Sequence, residues 1–467
     1  MVQGRRLPFL TTCLLVILAF LCVSAVPVAA EKLGDRVYEA SLANGLKVIL
    51  LENHKAPLVT IQVWYRVGSR NEPWGKTGLS HLLEHMMFKG SKRFRAEDFV
   101  RMIRENGGHN NAFTSRDYTA YFVNMSADHV AVPLELEADR MGNAIFDEKE
   151  FATEKKVVIE ERRLRTEDNP QSYLYEQVFA TAYQVHPYHW PIIGWMEDLE
   201  RITLADVKAY YHRYYKPSNA FLVVAGDFNR KELLTQIEKA FGQLPAGQHL
   251  DDEVSREPSQ PGERRITVKR EGFVPSLMLG YHVPNLNNPD SYILQVIETI
   301  LSRGKSSRLH ERLVRKEQIA LSAEANHPLL SRDAGLFLVS ADALAEKDLP
   351  TLEKTMNEEI ERLQKEPVSP EELNKVKNQL EAAFIYGQDS IFHQAMVLAQ
   401  WEAAANWKAL DDYLPAIHRV TDYDIMRVAR QYLTPDNRTV GILEPQPPRN
   451  SKASRLTGQN KEVGDMP

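Results

Sequence analysis

The sequence predicts an α+β protein made of two homologous α/β domains, each a mainly antiparallel sheet packed with helices. Short stretches that alternate apolar and polar residues indicate strands, and longer stretches with apolar residues at helical spacing indicate helices. A segment beginning at Arg201 also matches a segment beginning at Arg419 without a gap, at an offset of 419 − 201 = 218 residues. Two segments of one chain that share such a register are expected to belong to domains of one fold.

Identical residues in register carry this repeat. The six pairs are Arg201 with Arg419, Thr203 with Thr421, Asp206 with Asp424, Tyr214 with Tyr432, Pro217 with Pro435 and Asn219 with Asn437. In each copy the Thr and the Asp three residues later predict a capped helix, the Pro and Asn predict a turn, and a strand follows. Coincidence is the competing explanation for one such cap, but six identities at a single offset favour an internal duplication.

Residues 1–30 predict a secretory signal peptide. Two arginines precede an apolar run from Leu7 to Val23, and small residues follow, ending in "VPVAA". An uncleaved membrane anchor is the alternative, and no later apolar run is long enough to span a bilayer. Both cysteines of the chain lie within this segment, so the mature chain is expected to contain no disulfide. Export of a chain without cysteines favours a bacterial periplasm, with secretion from the cell as the alternative.

Composition divides the mature chain into two domains, a linker and a tail. The domains are assigned to residues 31–245 and 266–445, and the polar, proline-rich residues 246–265 between them predict the linker. Residues 446–467 are polar and are predicted to be disordered. With 57 basic and 63 acidic residues, the chain lacks the basic balance of nucleic-acid-binding proteins, and no nucleic-acid partner is expected.

The elements follow from local patterns. The stretch "RVYEASLANGLKVILLENHKAPLVTIQVWYRVG" alternates around the turn Asn44-Gly45, which predicts a hairpin followed by another strand. Helical spacing covers Ala96–Glu105 and residues 154–165, where Val157 and Val158 mark the side expected to be buried. In the second domain the predicted strands are "SLMLGYHVP", "GLFLVSADA" and "NRTVGILEP", and the predicted helices lie near residues 290–300, 349–365 and 370–383.

The segment "GKTGLSHLLEHMMFKG" places two histidines four residues apart among apolar residues. On a helix that Thr77 or Ser80 could cap, His81 and His85 project from one face about one turn apart, a spacing that suits a metal ion. Glu84 lies on the same side but offset, where it could reach a water molecule rather than the metal. The order H-x-x-E-H is the inverse of H-E-x-x-H. Ordinary histidines on an amphipathic helix are the alternative.

A third ligand is needed, because catalytic zinc usually has three protein ligands and an open position. In "TEKKVVIEERRLR", Glu154 and Glu161 are seven residues apart and share one helical face, so one of them could complete the site. Taken alone, this segment is also typical of a charged surface helix with salt bridges.

Together these segments resemble the M16 family of zinc peptidases, the inverzincins, over essentially the whole mature chain. The family has an H-x-x-E-H motif, a later glutamate ligand and a further glutamate seven residues before that ligand. Here Glu161 lies 161 − 85 = 76 residues beyond His85, at the family's spacing, and Glu154 falls on the supporting position. Glu160 is the rival for the ligand, one residue out of register. The segments "GGHNNAFTSRDYTAY", "HPYHWPIIG" and "YYKPSNAFLVVAGD" also resemble family signatures.

The resemblance implies a zinc-dependent endopeptidase that hydrolyses peptides or unfolded polypeptides. It implies one Zn²⁺ per chain, held by His81, His85 and Glu161. It further implies two catalytic residues, Glu84 as the general base and Glu154 as the residue that orients the ligands.

The same resemblance implies where the substrate binds. The strand that contains Asn110, Asn111, Ala112 and Phe113 would accept an extended peptide by edge pairing, which recognises the backbone of flexible chains. An ordinary sheet edge is the alternative for this strand.

The second domain departs from the family pattern. Many M16 enzymes carry an Arg and a Tyr there, but this chain has Val314 and Leu321 at those positions, with Arg315 one place away. Its counterpart of the metal motif, "LQVIETILSRG", also lacks the histidines. Two-chain family members divide these parts, which predicts that this chain is the catalytic subunit of a heterodimer whose sister M16 subunit supplies the Arg and Tyr. A non-catalytic structural or peptide-binding subunit of the same fold is the alternative.

Overall fold

The structure is a computed structural model that describes residues 33–248, 250, 255–345 and 348–447. Leu33–Arg36 form a 3-10 turn in a small unit that ends at Arg36, and the chain from Val37 onward belongs to one compact unit. The predicted signal peptide lies outside the described residues, as does the predicted tail beyond Pro447. No helix within the described ranges combines the length and the apolar character needed to cross a membrane.

The strands are short and fall into two sheets. In chain order they are β1 (Val37–Ser41), β2 (Lys47–Glu52), β3 (Leu58–Tyr65), β4 (His109–Thr114), β5 (Thr119–Ser126), β6 (Ala220–Gly226), β7 (Arg264–Glu271), β8 (Ser276–Val283), β9 (Ala320–Asn326), β10 (Gly335–Ala343) and β11 (Arg438–Gln446).

The α-helices surround these sheets. They are α1 (Leu79–Met86), α2 (Ala96–Glu105), α3 (Ala131–Asn143), α4 (Glu148–Arg162), α5 (Pro170–Ala182), α6 (Met196–Arg201), α7 (Leu204–Tyr214), α8 (Arg230–Phe241), α9 (Asp290–Ser302), α10 (Leu349–Lys365), α11 (Pro370–Tyr386), α12 (Ile391–Ala404), α13 (Tyr413–Arg419) and α14 (Asp422–Tyr432).

The two sheets share one topology. The first has the strand order β1-β2-β6-β3-β5-β4, and the second has the order β7-β11-β8-β10-β9. In each sheet one pair is parallel, β2 with β6 and β7 with β11, and the other pairs are antiparallel. Removing β1 leaves the same order in both sheets, so the predicted fold of two related, mainly antiparallel halves is confirmed.

The repeat recognised in the sequence recurs in detail. Thr203 begins α7 and Thr421 begins α14, each as an N-cap that forms a capping box with the Asp three residues later. In the turn after each helix, the Asn219 amide donates to the carbonyl of Tyr214 at 2.9 Å, and the Asn437 amide donates to its counterpart in α14 at 2.8 Å. The same side chains therefore fix the same helix–turn–strand unit twice.

One helix of each half packs on the sheet of the other half. Helix α5 follows α4 in the first half but packs on β7, β8 and β11 of the second sheet, where Leu174 and Val178 meet Val268 and Leu443. Helix α12 of the second half packs on β3 and β6 of the first sheet. A Cβ atom on Gly441 would lie 2.3 Å from the Val178 side chain, so glycine permits the close approach of α5.

Three predicted elements have the predicted bounds at both ends, and the others differ at their ends by a few residues. Ala96–Glu105, Leu349–Lys365 and Gly335–Ala343 agree with the prediction at both ends. The helix predicted over residues 154–165 begins earlier, at Glu148, and its last turn is π-helical over Arg163–Glu167.

Two further details differ from the prediction. Val158 is buried as expected, but Val157 is 45% exposed, because it faces a cleft rather than the core. Strand β11 extends to Gln446, and β7 begins at Arg264, inside the segment assigned to the linker.

Candidate metal centre

Helix α1 carries the H-x-x-E-H motif, and its apolar face fixes its orientation. Leu79, Leu82, Leu83 and Met86 are buried in the core of the first half. His81 and the two other polar residues of the motif lie on the side away from that core, where they are partly exposed to a cleft. The amphipathic pattern therefore turns one face of the helix into the core and the opposite face toward the cleft.

The start of α1 is held by a carboxylate that sequence reasoning did not single out. Neither Thr77 nor Ser80 caps the helix with its side chain, and the N-cap is Gly78 with φ 93°. Instead the buried Glu72 accepts the backbone N–H groups of Gly78 and Ser80, both at 2.7 Å. Close approach of another segment explains the glycines here, since a Cβ on Gly194 would lie 2.3 Å from the carbonyl oxygen of Thr77.

Helix α4 brings Glu161 to the two imidazoles. Its Oε2 atom lies 3.8 Å from Nε2 of His81 and 3.4 Å from Nε2 of His85. One candidate ligand atom from each of the three residues lies within 4.8 Å of the others. Among the residues that the structure describes, this is the cluster of His, Cys, Asp or Glu that could hold a metal ion.

Glu154 contacts the other side of one imidazole. Its Oε2 atom lies 3.1 Å from Nδ1 of His85, and its Oε1 atom lies 2.5 Å from Nζ of Lys89. Because a carboxylate accepts hydrogen bonds, this contact favours a proton on Nδ1 and leaves the lone pair on Nε2, which faces Glu161. This contact is the one that the predicted orienting role of Glu154 requires.

Glu84 lies next to the cluster and is tied to the edge strand. Its Oε2 atom accepts a hydrogen bond of 2.5 Å from the Thr114 hydroxyl at the end of β4. Burial raises the pKa of Glu84, and the Thr114 hydrogen bond partly offsets that effect. A carboxyl group with a raised pKa is better suited to accept and return a proton near neutral pH.

His81 is buried deeply enough to remain neutral. Burial, followed by the charges of His85 and Arg165, lowers the pKa of His81 to about 3. A metal ligand must be neutral imidazole, so the environment keeps His81 in the form that can bind a cation.

The cluster opens into a cleft of about 1610 Å³. Asn111, Ala112 and Phe113 of β4 line it, whereas Asn110, the first residue of the predicted peptide-binding set, does not. Met278 of β8 also lines it, so both halves contribute to its walls. Strand β4 is one of the two edge strands of the first sheet, as an edge-pairing site requires.

The donor set fits zinc. Two imidazole nitrogens and one carboxylate oxygen are the protein ligands of one class of catalytic zinc sites, which keep a further position open. Glu160, the rival for the ligand, instead pairs with Arg163 and is exposed. The structure therefore brings together the three residues that the sequence nominated as ligands, with Glu84 and Glu154 beside them; their roles remain predictions.

Sequence reasoning missed Arg165 as well as Glu72. Arg165 contacts Glu161, with Nη1 2.9 Å from Oε1. Its position four residues after Glu161 on one helix could have indicated this contact. Glu72 offered no comparable pattern, since it reaches the start of α1 only through the folded loop.

Comparisons with known proteins follow the same two-part division. The family described as "Insulinase (Peptidase family M16)" matches residues 47–194, and the family described as "Peptidase M16 inactive domain" matches residues 201–380. The zinc protease PqqE of Helicobacter pylori is 36% identical over 413 residues, covering 87% of this chain and 92% of that protein. A Bacillus subtilis protein named uncharacterized zinc protease YmxG is 28% identical, covering 84% of this chain and 95% of that protein.

A solved structure agrees with these matches. The crystal structure of a protease from Helicobacter pylori superposes with a TM-score of 0.84 at 34% identity, covering 88% of this chain and 99% of that one.

Proposed function

The chain belongs to the M16 family of peptidases, and from that premise we propose that it is a zinc-dependent endopeptidase acting on peptides or unfolded polypeptides. The observation that carries the proposal is the cluster of His81, His85 and Glu161 beside Glu84, at the end of an edge strand. A subunit without catalytic activity would have no need of a proton-accepting carboxylate next to the three potential ligands.

One zinc ion per chain would be held by His81, His85 and Glu161. Bound zinc supplies Lewis acidity, which polarises a carbonyl group and acidifies water. Glu84 then accepts a proton from the attacking water and returns it to the leaving amine.

The substrate would pair with the free edge of β4. The backbone N–H of Ala112 donates to the side-chain oxygen of the preceding residue, Asn111, at 2.9 Å. This N–H therefore points away from β5. Because backbone groups alternate along a strand, Asn110 and Thr114 also direct theirs outward. An extended peptide would replace the Asn111 oxygen and continue the sheet, which selects flexible rather than folded chains.

We further propose that the chain acts in the bacterial periplasm as the catalytic subunit of a heterodimer. The periplasmic assignment rests on the amino-terminal arginines and apolar run. The heterodimer rests on Val314 and Leu321, which stand where many relatives are expected to have an Arg and a Tyr.

The decisive experiment compares metal content and peptide cleavage in single variants. Glu84→Gln should retain zinc and lose turnover by about 100-fold or more, since general acid–base catalysis is typically worth that much. His81→Ala and Glu161→Ala should lose both metal and turnover. Glu160→Gln is the matched control, because this exposed carboxylate adjoins the ligand in sequence and should behave as wild type. Full activity in Glu84→Gln would contradict the proposed function.

A further inference from the structure

The two oxygens of Glu161 have different partners. Oε2 faces the imidazoles of His81 and His85, whereas Oε1 is held by Nη1 of Arg165 at 2.9 Å. A free carboxylate can offer either one oxygen or both to a cation. Here one oxygen is already engaged by a guanidinium, and the other is directed toward the histidines.

Arg165 lies in the turn that follows the end of α4. The α-helix stops at Arg162, and Arg163–Glu167 continue as a π-helix, a wider turn that is often found at functional sites. The side chain of Arg165 is 74% exposed and lines the cleft. Its neighbour Arg163 pairs instead with Glu160, so two arginines of one turn serve different carboxylates.

The charge of Arg165 also reaches the other groups of the cluster. It helps to lower the pKa of His81, and it partly offsets the burial that raises the pKa of Glu84. The positive charge of Arg165 therefore affects His81 and Glu84 in addition to its contact with Glu161.

We propose that Arg165 is a positioning residue that restricts Glu161 to one-oxygen coordination. The inference rests on the proposed zinc-peptidase function. Three single-atom donors leave the fourth position that a catalytic zinc needs, whereas a carboxylate that binds through both oxygens would take it up. Arg165 therefore acts through Glu161 and belongs to the layer that orients the ligands.

The test uses cobalt(II) in place of zinc, because the visible absorption of cobalt is stronger in four-coordinate than in five- or six-coordinate sites. In Arg165→Gln we expect weaker cobalt absorption, a metal affinity lower by about 10- to 100-fold, and a lower kcat with little change in KM. Arg165→Lys should recover part of the affinity, since it keeps the charge but not the fork of donors. Arg163→Gln is the matched control and should equal wild type in all readouts.

The outcomes separate this inference from the proposed function. If wild type cleaves peptides and Glu84→Gln does not, but Arg165→Gln matches wild type in cobalt spectrum and affinity, the inference is wrong and the function stands. A raised KM with an unchanged spectrum would assign Arg165 to substrate binding and would also overturn it. If wild type binds no cobalt and cleaves no peptide, the proposed function itself is wrong.

Discussion

At the scale of single residues, the carboxylates of the site link the candidate ligands to nearby basic residues. Glu154 contacts His85 on one side and Lys89 on the other, so a chain of two contacts leads from Lys89 to the imidazole. His81 has no equivalent support within the described residues, since its buried Nδ1 atom has no hydrogen-bond partner there. The surroundings of the two histidines therefore differ: His85 contacts a carboxylate, whereas His81 is surrounded mainly by buried groups.

Removing Glu154 should weaken metal binding without abolishing it. In Glu154→Ala, Nδ1 of His85 loses the carboxylate that accepts its hydrogen bond. We expect zinc affinity to fall by about 10- to 100-fold. Competition with a chromophoric chelator measures this affinity. Glu150→Ala is the control, because Glu150 lies one turn earlier on α4 and contacts Lys89 at 3.6 Å rather than a histidine. Equal affinities of Glu154→Ala and wild type would contradict the orienting role.

At the scale of elements, the short helix α1 is positioned from outside. Its cap is a glycine, and Glu72 supplies the acceptors that a Ser or Thr side chain would supply in most helices. Burial raises the pKa of Glu72 to about 8, and the two backbone hydrogen bonds partly offset that effect. Helix α1, which carries two of the three candidate ligands, is thus tied to a carboxyl group whose pKa is raised toward neutral pH.

Glu72→Gln should destabilise the protein and change how its stability varies with pH. The new NH₂ group cannot accept from a backbone N–H, which costs about 1–3 kcal/mol. Because the folded pKa lies above the ordinary value of 4.5, the folded chain keeps a proton that the unfolded chain releases between about pH 4.5 and 8. The free energy of unfolding of wild type should therefore fall, relative to Glu72→Gln, as pH rises through that window.

Urea unfolding at several pH values measures this effect. Glu97→Gln, at an exposed site in the first turn of α2, is the matched control and should shift stability by less than about 0.5 kcal/mol at every pH. A constant difference between wild type and Glu72→Gln across pH 5–8 would show that Glu72 does not titrate there.

The edge strand β4 offers a second test at this scale. Ala112→Pro removes an outward N–H without removing a hydrogen bond to β5, so the sheet should persist while one bond to the substrate is lost. We expect kcat/KM for a peptide to fall by about 10-fold, with zinc content unchanged. Ala112→Ser keeps the N–H and should remain close to wild type. Unchanged kinetics in the proline variant would argue against edge pairing at this strand.

The sequence was sufficient for features that depend on local pattern. The hairpin at Asn44-Gly45, the capped helices after Thr203 and Thr421, and the pairing of His81 with His85 follow from spacing and turn chemistry. The choice of Glu161 over Glu154 as the third candidate ligand came instead from the resemblance to the M16 family. Contacts made by the folded chain could not be read in this way. Adjacent valines on α4 gave no sign that one faces a cleft and the other the core.

The exchange of α5 and α12 between the halves was also beyond the sequence pattern. In sequence, each of these helices lies among the elements of one half, but in the folded chain it packs on the sheet of the other half. A periodic pattern states that a helix has a buried face but not what buries it.

At the scale of the whole molecule, the exchanged helices join the halves. Glu402 of α12 is 2% exposed and lies 2.9 Å from Nζ of Lys47 and 2.5 Å from Nη2 of Arg66, both from the first half. It also accepts the backbone N–H of Trp407 at 3.2 Å. A substitution of Glu402 should therefore lower the stability of both halves together.

Glu402→Gln should cost about 3–5 kcal/mol, because it leaves two cations facing a buried amide. We expect denaturant unfolding to remain a single transition, with a lower midpoint. Glu381→Gln is the control, since Glu381 makes a half-exposed contact of 3.5 Å with His418 and should change stability by about 1 kcal/mol or less. Two separate transitions in the Glu402 variant would mean that the halves fold independently.

The architecture of the second half bears on whether the chain works alone. Leu321 is 53% exposed on the edge strand β9, and Val314 is half-buried in the π-helical turn that precedes it. Arg315, one place from Val314, is engaged with Glu311 at 3.2 Å. Neither position offers the guanidinium or phenol that could bind a substrate carbonyl or stabilise a developing oxyanion.

The purified chain should therefore bind zinc but cleave peptides slowly, and adding a sister M16 subunit from the same cell envelope should raise kcat. The expected gain is about 100-fold, the size of effect seen when an oxyanion donor is supplied. Gel filtration of the mixture, with peptide cleavage measured across the eluted fractions, tests both assembly and activity. Because the sister subunit would supply what Val314 and Leu321 lack, the activity should elute with the heterodimer. A homodimer of the chain with full activity, which the sister subunit cannot increase, would contradict this division of work.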